Sequence, residues 1–585
     1  MAENKQTFTF YLKLLFPFVK KDLGLLFFGL FAMLITSGLR LLNPLILAQI
    51  IDHSIPEKNM AQMFQYGFYF IAVVMLSGVL SYLQILLLSR LGIKIITKFK
   101  SNVFSHLLKL PVSWYNKQPV GELIARVESD SERVKVLFSD LSITIIGNIL
   151  FFIGGFVVLF ILQWQITIYI LPAIILCGIG YWFLFKYLNK FFRLIRERYA
   201  IITAKITDYV QGIQMIQALN QEKRALKDVE KASLAKKKVE VHTQIIEYGS
   251  QSIFSFMINV VFIIIVILVS APKIIAGTLT VGILIVFIQY IYQLVWPLMQ
   301  ISENVMQIQR SFASLKRILE LTELPTEDDI FTGTGLPVFE QEIKFENVWF
   351  AYKENEWILK DISFTIPKGK KIALVGPSGS GKTTIVSLLC GFYPVEKGRI
   401  LIDGVPLSEM NFRDWRKKIG LILQDVYLFP GSILENVRVY NDQVGEDKVQ
   451  KAISIVQLDE FIRKLPEGIN AELAERGQNI SQGEKQLISF ARALAFAAEI
   501  IIMDEATASI DPQTEAKIQR SMEKLLAGKT ALIVAHRLTS VLDADEILYF
   551  SNGRITARGK HQDLLQKSPE YQKLVELQML KVQDE

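Results

Sequence analysis

Six long apolar segments, at about 24–51, 62–89, 138–164, 166–187, 247–272 and 277–306, decide what kind of protein this chain can form. Each is near or above the roughly 20 residues that carry a helix across a bilayer, and a buried helix of a soluble domain seldom has such length. Composition agrees: the 585 residues are 51% hydrophobic and 21% charged, with 38 Phe and 19 Tyr, which argues against a purely soluble chain and against disorder. The loops after the second and fourth segments are long and basic, with KIITKFK at 94–100, FFRLIRER at 191–198 and LAKKK at 234–238. Those after the first, third and fifth are short and nearly free of such charge. The positive-inside rule then puts the N-terminal segment 1–22, both long loops and everything beyond 306 in the cytosol. A net charge of +7 is mild over this length and fits topology better than nucleic-acid binding, so no nucleic-acid partner is expected. Two cysteines, Cys177 and Cys390, give no disulfide framework and suit a reducing compartment. The N-terminus lacks the layout of a cleaved signal peptide.

After a charged linker at 307–340, the composition of 341–585 changes to that of an α/β domain. Short β-rich runs, KKIALVG (370–376), IGLILQ (419–424), EIIIMD (499–504) and TALIVAH (530–536), alternate with helical stretches and predict a largely parallel sheet. The expected fold is an all-α, six-helix membrane domain over 23–306 followed by an α/β P-loop domain over 341–585.

The strongest motif is GPSGSGKT, placed between an apolar strand-like run and a helical one, the context that the P-loop pattern requires. Its glycines let backbone N–H groups wrap a phosphate, and the helix N-terminus adds a favourable dipole. Gly376, Pro377, Ser378, Gly379, Ser380, Gly381, Lys382, Thr383 and Thr384 are the expected nucleotide cradle, with Lys382 reaching the β- and γ-phosphates and the Thr383 hydroxyl a Mg2+ position. Asp504, closing the run IIIMD, suits a Mg2+-water ligand, and Glu505 suits the group that orients or deprotonates the attacking water. Without a P-loop, the same adjacent acids would read as solvated strand-end residues.

GPSGSGKT, ISQGEKQLISFARAL (480–494), IIIMDEATASID (500–511) and IVAHR (533–537), in this order behind six spans, resemble an ABC exporter half-transporter of the bacterial, multidrug-resistance-like type. The resemblance covers nearly the whole chain. It implies an ATP hydrolase coupled to transport that uses ATP and Mg2+. By the same resemblance Tyr352 stacks on adenine, Gln424 senses Mg2+ and the γ-phosphate, His536 is the switch histidine and Asp511 communicates across a dimer. It further implies that two ATPase domains close head to tail, so that the signature residues Ser481, Gln482, Gly483 and Glu484 face the partner's ATP. The family's usual Leu-Ser-Gly-Gly-Gln is here Ile-Ser-Gln-Gly-Glu. A carboxylate there would repel a triphosphate unless it turned to solvent. An intact P-loop, Glu505 and His536 beside an atypical signature suggest the catalytically competent half of a heterodimer, with a homodimer as the alternative. The loops 119–132 and 204–216 resemble coupling elements, each expected to hold a short helix on a nucleotide domain, the second on the partner's.

Polar residues inside the spans are functional candidates because their burial in lipid is costly. These are Arg40, Gln84, Asn148, Asn259, Gln289, Gln293 and Gln300. The last three, at spacings of four and seven, share a helix face with Tyr292 and Trp296 nearby. With Arg40 they form the expected transport path, although for any single Gln interhelical hydrogen bonding is the competing reading. The expected function is export of hydrophobic or amphipathic compounds from the cytosol or inner leaflet of a bacterial plasma membrane. A homodimeric lipid flippase, or an ATP-gated channel or regulatory subunit of the same fold, are the alternatives.

Overall fold

The computed structural model describes residues 16–138, 140–504, 512–535 and 541–584, without the side chains of 138, 140–143, 295–303, 305–306, 512–513 and 577–584. It divides into two compact units: Val120–Glu323 with the residues before Lys109, and Lys109–Pro119 with Leu324–Glu585.

The first unit is helical. Helix α1 (Leu23–Gln49) continues into a π-helical turn, Ile50–Ser54, and α2 covers Met60–Leu107. The stretch Asp140–Gln211 is interrupted at Gln163 (φ −158°, ψ 88°), giving α3 (140–162) and α4 (164–211). There the Thr167 hydroxyl donates to the carbonyls of Leu159, at 2.9 Å, and of Gln163, at 3.0 Å. Leu159 and Thr167 would lie about 12 Å apart along an unbroken helix, so the chain doubles back at Gln163. Helix α5 (222–275) includes a π-helical turn at Met257–Phe262, and α6 covers Val281–Thr322. Among the described residues, Phe16–Ser54, Met60–Leu107, Thr144–Gln211 and Glu222–Ile275 are long and apolar enough to cross a membrane, and α6 opens with the shorter apolar stretch Val281–Leu294.

Leu159, Ile166, Ile170, Val266, Phe287 and Leu294 form a buried cluster joining α3 to α6. Gly155 of α3 lies so close to Leu294 that an added Cβ would come within 2.8 Å of it, the small-residue contact by which helices approach in lipid. The Tyr290 hydroxyl of α6 donates to the Leu41 carbonyl of α1. Asp52 accepts from the Gly282 N–H at 2.6 Å, placing a carboxylate at the positive end of α6. Outward-facing apolar side chains such as Phe64 and Ile161 are exposed, as lipid contact requires.

Outside the apolar stretches, a half-buried ion pair ties the π-helical turn Arg126–Asp130 to the far end of α6. Asp130 accepts from Arg317 Nε and Nη2 at 2.8 and 2.5 Å and from the Ser314 hydroxyl at 2.9 Å. Burial alone would raise its pKa, but the Arg317 and Ser314 hydrogen bonds and the Arg317 charge outweigh burial and hold it below the ordinary value of 3.8.

In the second unit a six-stranded sheet has the order β12-β11-β3-β10-β9-β6. Its strands are β3 (Lys371–Val375), β6 (Ile419–Ile422), β9 (Ile500–Asp504), β10 (Thr530–Val534), β11 (Glu546–Ser551) and β12 (Arg554–Gly559). All its pairings are parallel except β11 with the edge strand β12. An antiparallel sheet of order β2-β1-β4-β5 accompanies it, from β1 (Glu342–Ala351), β2 (Trp357–Pro367), β4 (Lys397–Ile402) and β5 (Val405–Pro406). The alternating β-rich runs had pointed only to the parallel sheet. A two-stranded piece, β7 (Gly431–Ser432) with β8 (Glu472–Leu473), completes the strands among the described residues. Helix α7 (Lys382–Leu389) packs between the sheets, with Trp415 buried against it and its indole N–H donating to the Leu389 carbonyl at 2.8 Å.

A depressed carboxyl pKa contributes stability above the free-acid value, and that contribution is lost as pH falls through the folded-state value. Asp130→Asn should therefore destabilise the protein at pH 7 by about 1–2 kcal/mol, the lower part of the range for charged hydrogen bonds because Arg317 is partly exposed. Thermal unfolding followed by tryptophan fluorescence should show a lower Tm than the native chain at pH 7 and a shrinking difference below about pH 4. Equal Tm values at pH 7 would show that the pair carries no stability.

Candidate functional site

The carboxyl ends of four adjacent parallel strands converge in the second unit, the edge at which open α/β sheets bind ligands. Val534 of β10 pairs with Leu374 of β3 and with Asp504 of β9, and Met503 pairs with Ile422 of β6. The P-loop leaves β3, Asp504 closes β9, and Gln424 follows β6 by two residues, exposed at the same edge. Sheet order therefore brings together residues far apart in sequence. Asp504 is buried. Glu505, Asp511 and His536 lie outside the described residues.

Gly376 has φ +151°, and an added Cβ would come within 2.1 Å of the Phe550 carbonyl, so only glycine fits. Gly381 is the N-cap of α7. Lys382 is buried and donates through Nζ to the loop's own carbonyls, Gly376 at 2.8 Å and Pro377 at 3.0 Å. The Ser380 hydroxyl is buried without a hydrogen-bond partner. Ser378, Gly379, Gly381, Lys382, Thr383 and Thr384 line a cavity of about 160 Å3 at the head of α7. An orphaned hydroxyl, an ammonium held on the loop and a helix N-terminus fit an oxyanion such as phosphate. Thr383 and Asp504 offer the hard oxygen donors that Mg2+ prefers, and an ion that keeps its waters and phosphate ligands needs only one or two from protein. Tyr352 follows β1, packs edge-to-face on Phe350 and Tyr393, donates to Thr384 Oγ1 at 3.3 Å and leaves part of its ring exposed.

Ser481 is the N-cap of α9 (Gln482–Ala495), for which we count Ile433–Arg438 as α8. Glu484 lies partly exposed on the first turn of α9. Its carboxylate folds back to accept from Ser481 N at 2.7 Å and Ser481 Oγ at 2.8 Å, closing a capping box. Gln482 is exposed and Gly483 buried on the first turn. The sequence reading missed Arg492, which donates to the carbonyls of Asn436 and Tyr427 at 2.6 and 2.8 Å and so ties α9 to α8 and to the segment after Gln424. Burial lowers its pKa to about 10, leaving it charged at neutral pH.

In the first unit, a cavity of about 670 Å3 is lined from α1, α2, α3 and α6 by Arg40, Asn43, Gln84, Asn148, Tyr292 and Gln293, among others. Five residues singled out from sequence thus share one space. Gln289 and Asn259 do not line it: Gln289 lies one turn away on α6, and Asn259, within the π-helical turn, donates to Ser255 O on its own helix at 2.7 Å. The side chains of Trp296 and Gln300 lie outside the description. The expected first coupling loop holds a short helix, Val120–Ala125. The strip that belongs to the second unit is Lys109–Pro119, with its short helix Val112–Tyr115, whereas 120–132 belongs to the first unit. Asn116 Nδ2 donates to the Tyr393 hydroxyl at 2.7 Å, and the Glu327 N–H to the Lys109 carbonyl at 2.7 Å.

Residues 26–298 match the family described as ABC transporter transmembrane region, and 359–508 match ABC transporter. Over 572 residues the chain is 32% identical to the uncharacterized ABC transporter ATP-binding protein YknV of Bacillus subtilis, covering 96% of this chain and 93% of that protein. The chain belongs to the ABC transporter family. Similar proteins also include YheH of B. subtilis, named a probable multidrug resistance ABC transporter ATP-binding/permease protein, 34% identical over 83% of this chain and 72% of its own length. Another is an ATP-dependent lipid A-core flippase of Legionella pneumophila, 29% identical over 97% and 96%. This ABC transporter is accordingly an integral membrane protein that joins a helical transmembrane domain to an ATP-binding, ATP-hydrolysing domain.

The transporter's P-loop geometry yields a test independent of turnover. Gly376→Ala forces a Cβ into the Phe550 carbonyl at an unfavourable φ and should weaken binding of a fluorescent ATP analogue by about tenfold or more, given about 1–3 kcal/mol of strain. Unchanged affinity in a folded variant would show that the turn does not shape the cradle.

Proposed function

We propose that this chain is the catalytically competent half of a heterodimeric exporter that moves hydrophobic or amphipathic compounds out of the cytosol or inner leaflet by alternating access. The observation that carries the reading is a P-loop cradle at the carboxyl edge of the parallel sheet in the same chain as a membrane unit with a polar cavity. ATP docks on Tyr352 and the P-loop, and Lys382 moves its hydrogen bonds from Gly376 O and Pro377 O to the β- and γ-phosphates. Thr383, Gln424 and Asp504 would hold Mg2+, which when bound supplies positive charge against the phosphate oxygens. Glu505 and His536 position the attacking water, and Asp511 communicates with the partner. The basic long loops support a cytosolic N-terminus and ATPase domain at a bacterial plasma membrane. The turn helix Ile213–Ala218, with Ile213, Met215 and nearby Leu219 exposed, is an apolar surface suited to the partner's ATPase domain.

The heterodimer reading rests on the signature. Ser481 already donates its hydroxyl to Glu484, so this chain offers its partner's nucleotide a self-capped helix end carrying a negative charge. Glu484→Gln keeps a capping side chain and removes the charge. Photolabelling with an azido-ATP should then show about five- to tenfold tighter binding at the partner's P-loop, equivalent to about 1 kcal/mol. No change would detach the signature from nucleotide affinity. A native complex containing only this polypeptide and retaining full ATPase activity would sink the heterodimer.

Glu505→Gln should cut turnover of the assembled complex by about a hundredfold or more while sparing ATP binding, the scale expected for loss of a general base. Wild-type turnover in that variant would remove Glu505 from the chemistry.

A further inference from the structure

The cavity in the membrane unit is chemically lopsided. Among the described residues that line it, Arg40 alone is charged, and none is Asp or Glu. Among the described residues Arg40 has no ion-pair partner. It lies about 25 Å along α1 from Leu23 and about 13 Å from Gln49, farther from either helix end than an arginine side chain reaches, so snorkelling does not account for it. A guanidinium held within a membrane bundle is costly unless something pairs with it. A second group nearby is also unsatisfied: Asn43 Oδ1, one helical turn along the same lining, is buried with no hydrogen-bond partner. Gln84 and Asn148 add amides, while Phe151 and Tyr292 supply aromatic wall.

Resting on the exporter reading above, we infer that the cargo is an amphiphile carrying an anionic group, phosphate or carboxylate, which Arg40 pairs with while Asn43 Oδ1 accepts from a neighbouring hydroxyl or amide. Guanidinium presents a planar fork that matches both anions. The apolar wall takes the tail. The same lining disfavours lipophilic cations, for which its described residues hold a like charge and no carboxylate.

The test uses the assembled transporter in phosphatidylcholine nanodiscs and three ligands with one tail: dodecyl phosphate, dodecyl maltoside and dodecyltrimethylammonium. Each is titrated below its micellar concentration, with binding and ATPase stimulation read in the same samples. Dodecyl phosphate should bind about ten- to a hundredfold more tightly than the cation, the scale of a charge-assisted hydrogen bond. Arg40→Gln should erase most of that preference and Arg40→Lys should keep most of it. Repeating the titration with phosphatidylglycerol in the disc separates the sources: competition identifies a bilayer headgroup as the anion, and its absence identifies a free amphiphile. Equal or tighter binding of the cation by the native protein overturns the inference without any variant. So does an anion preference that survives Arg40→Gln, the result expected if Arg40 pairs with a carboxylate of the partner subunit. If no amphiphile of any charge binds, stimulates or is carried while ATP is still hydrolysed, the exporter reading itself fails.

Discussion

A peptide group in hydrocarbon has no water to bond, and leaving it unpaired costs several kcal/mol. For nearly half of this chain that constraint selects helices, and it also shapes their interruptions. Where the backbone breaks at Gln163, the Thr167 hydroxyl takes up the carbonyls of Leu159 and Gln163. At the π-helical turn 257–262 the Asn259 amide bonds Ser255 O on the preceding turn. Where α6 begins, Asp52 accepts from the Gly282 N–H. Each polar side chain that serves the backbone in this way is committed, and those not so committed stand out. Arg40 and Asn43 are of the second kind.

The second unit obeys a different constraint. Parallel strands present all their carboxyl ends at one edge, and residues from 376, 424 and 504 meet there because β3, β6 and β9 belong to one sheet. The antiparallel sheet closes over α7 from the other side and delivers Tyr352 to Thr384. Cys390, at the end of α7, shows how dry this interior is: burial pushes its thiol up to about 12, so it stays protonated and unreactive.

Features written in residue type and period were legible in the sequence. The apolar segments announced helices through their length, and GPSGSGKT announced a phosphate cradle through its glycines and its strand-to-helix setting. Features that depend on how a side chain resolves competing partners were not. Glu484 was weighed between phosphate and solvent, and its spacing alone did not show that the carboxylate also caps its own helix end. Gln289 and Gln293 share a helix face by spacing, but only Gln293 reaches the cavity, since one turn of α6 separates them. Arg492 was invisible because its partners are backbone carbonyls 56 and 65 residues away. Strands β1 and β2 went unread as a sheet, their motif content being confined to Tyr352.

The strip Lys109–Pro119 makes the second unit discontinuous in sequence. A ribosome delivers it, with the first two long helices, well before any of Leu324–Glu585 exists. A fragment cut at residue 323 would therefore lack part of its own surface: the Tyr393 hydroxyl would lose Asn116, and the Glu327 amide would lose the Lys109 carbonyl. The boundary within 307–340 that the sequence suggests is therefore not where the second unit begins. What looks in the sequence like an autonomous ATPase is a body whose last piece is held in escrow by the membrane half.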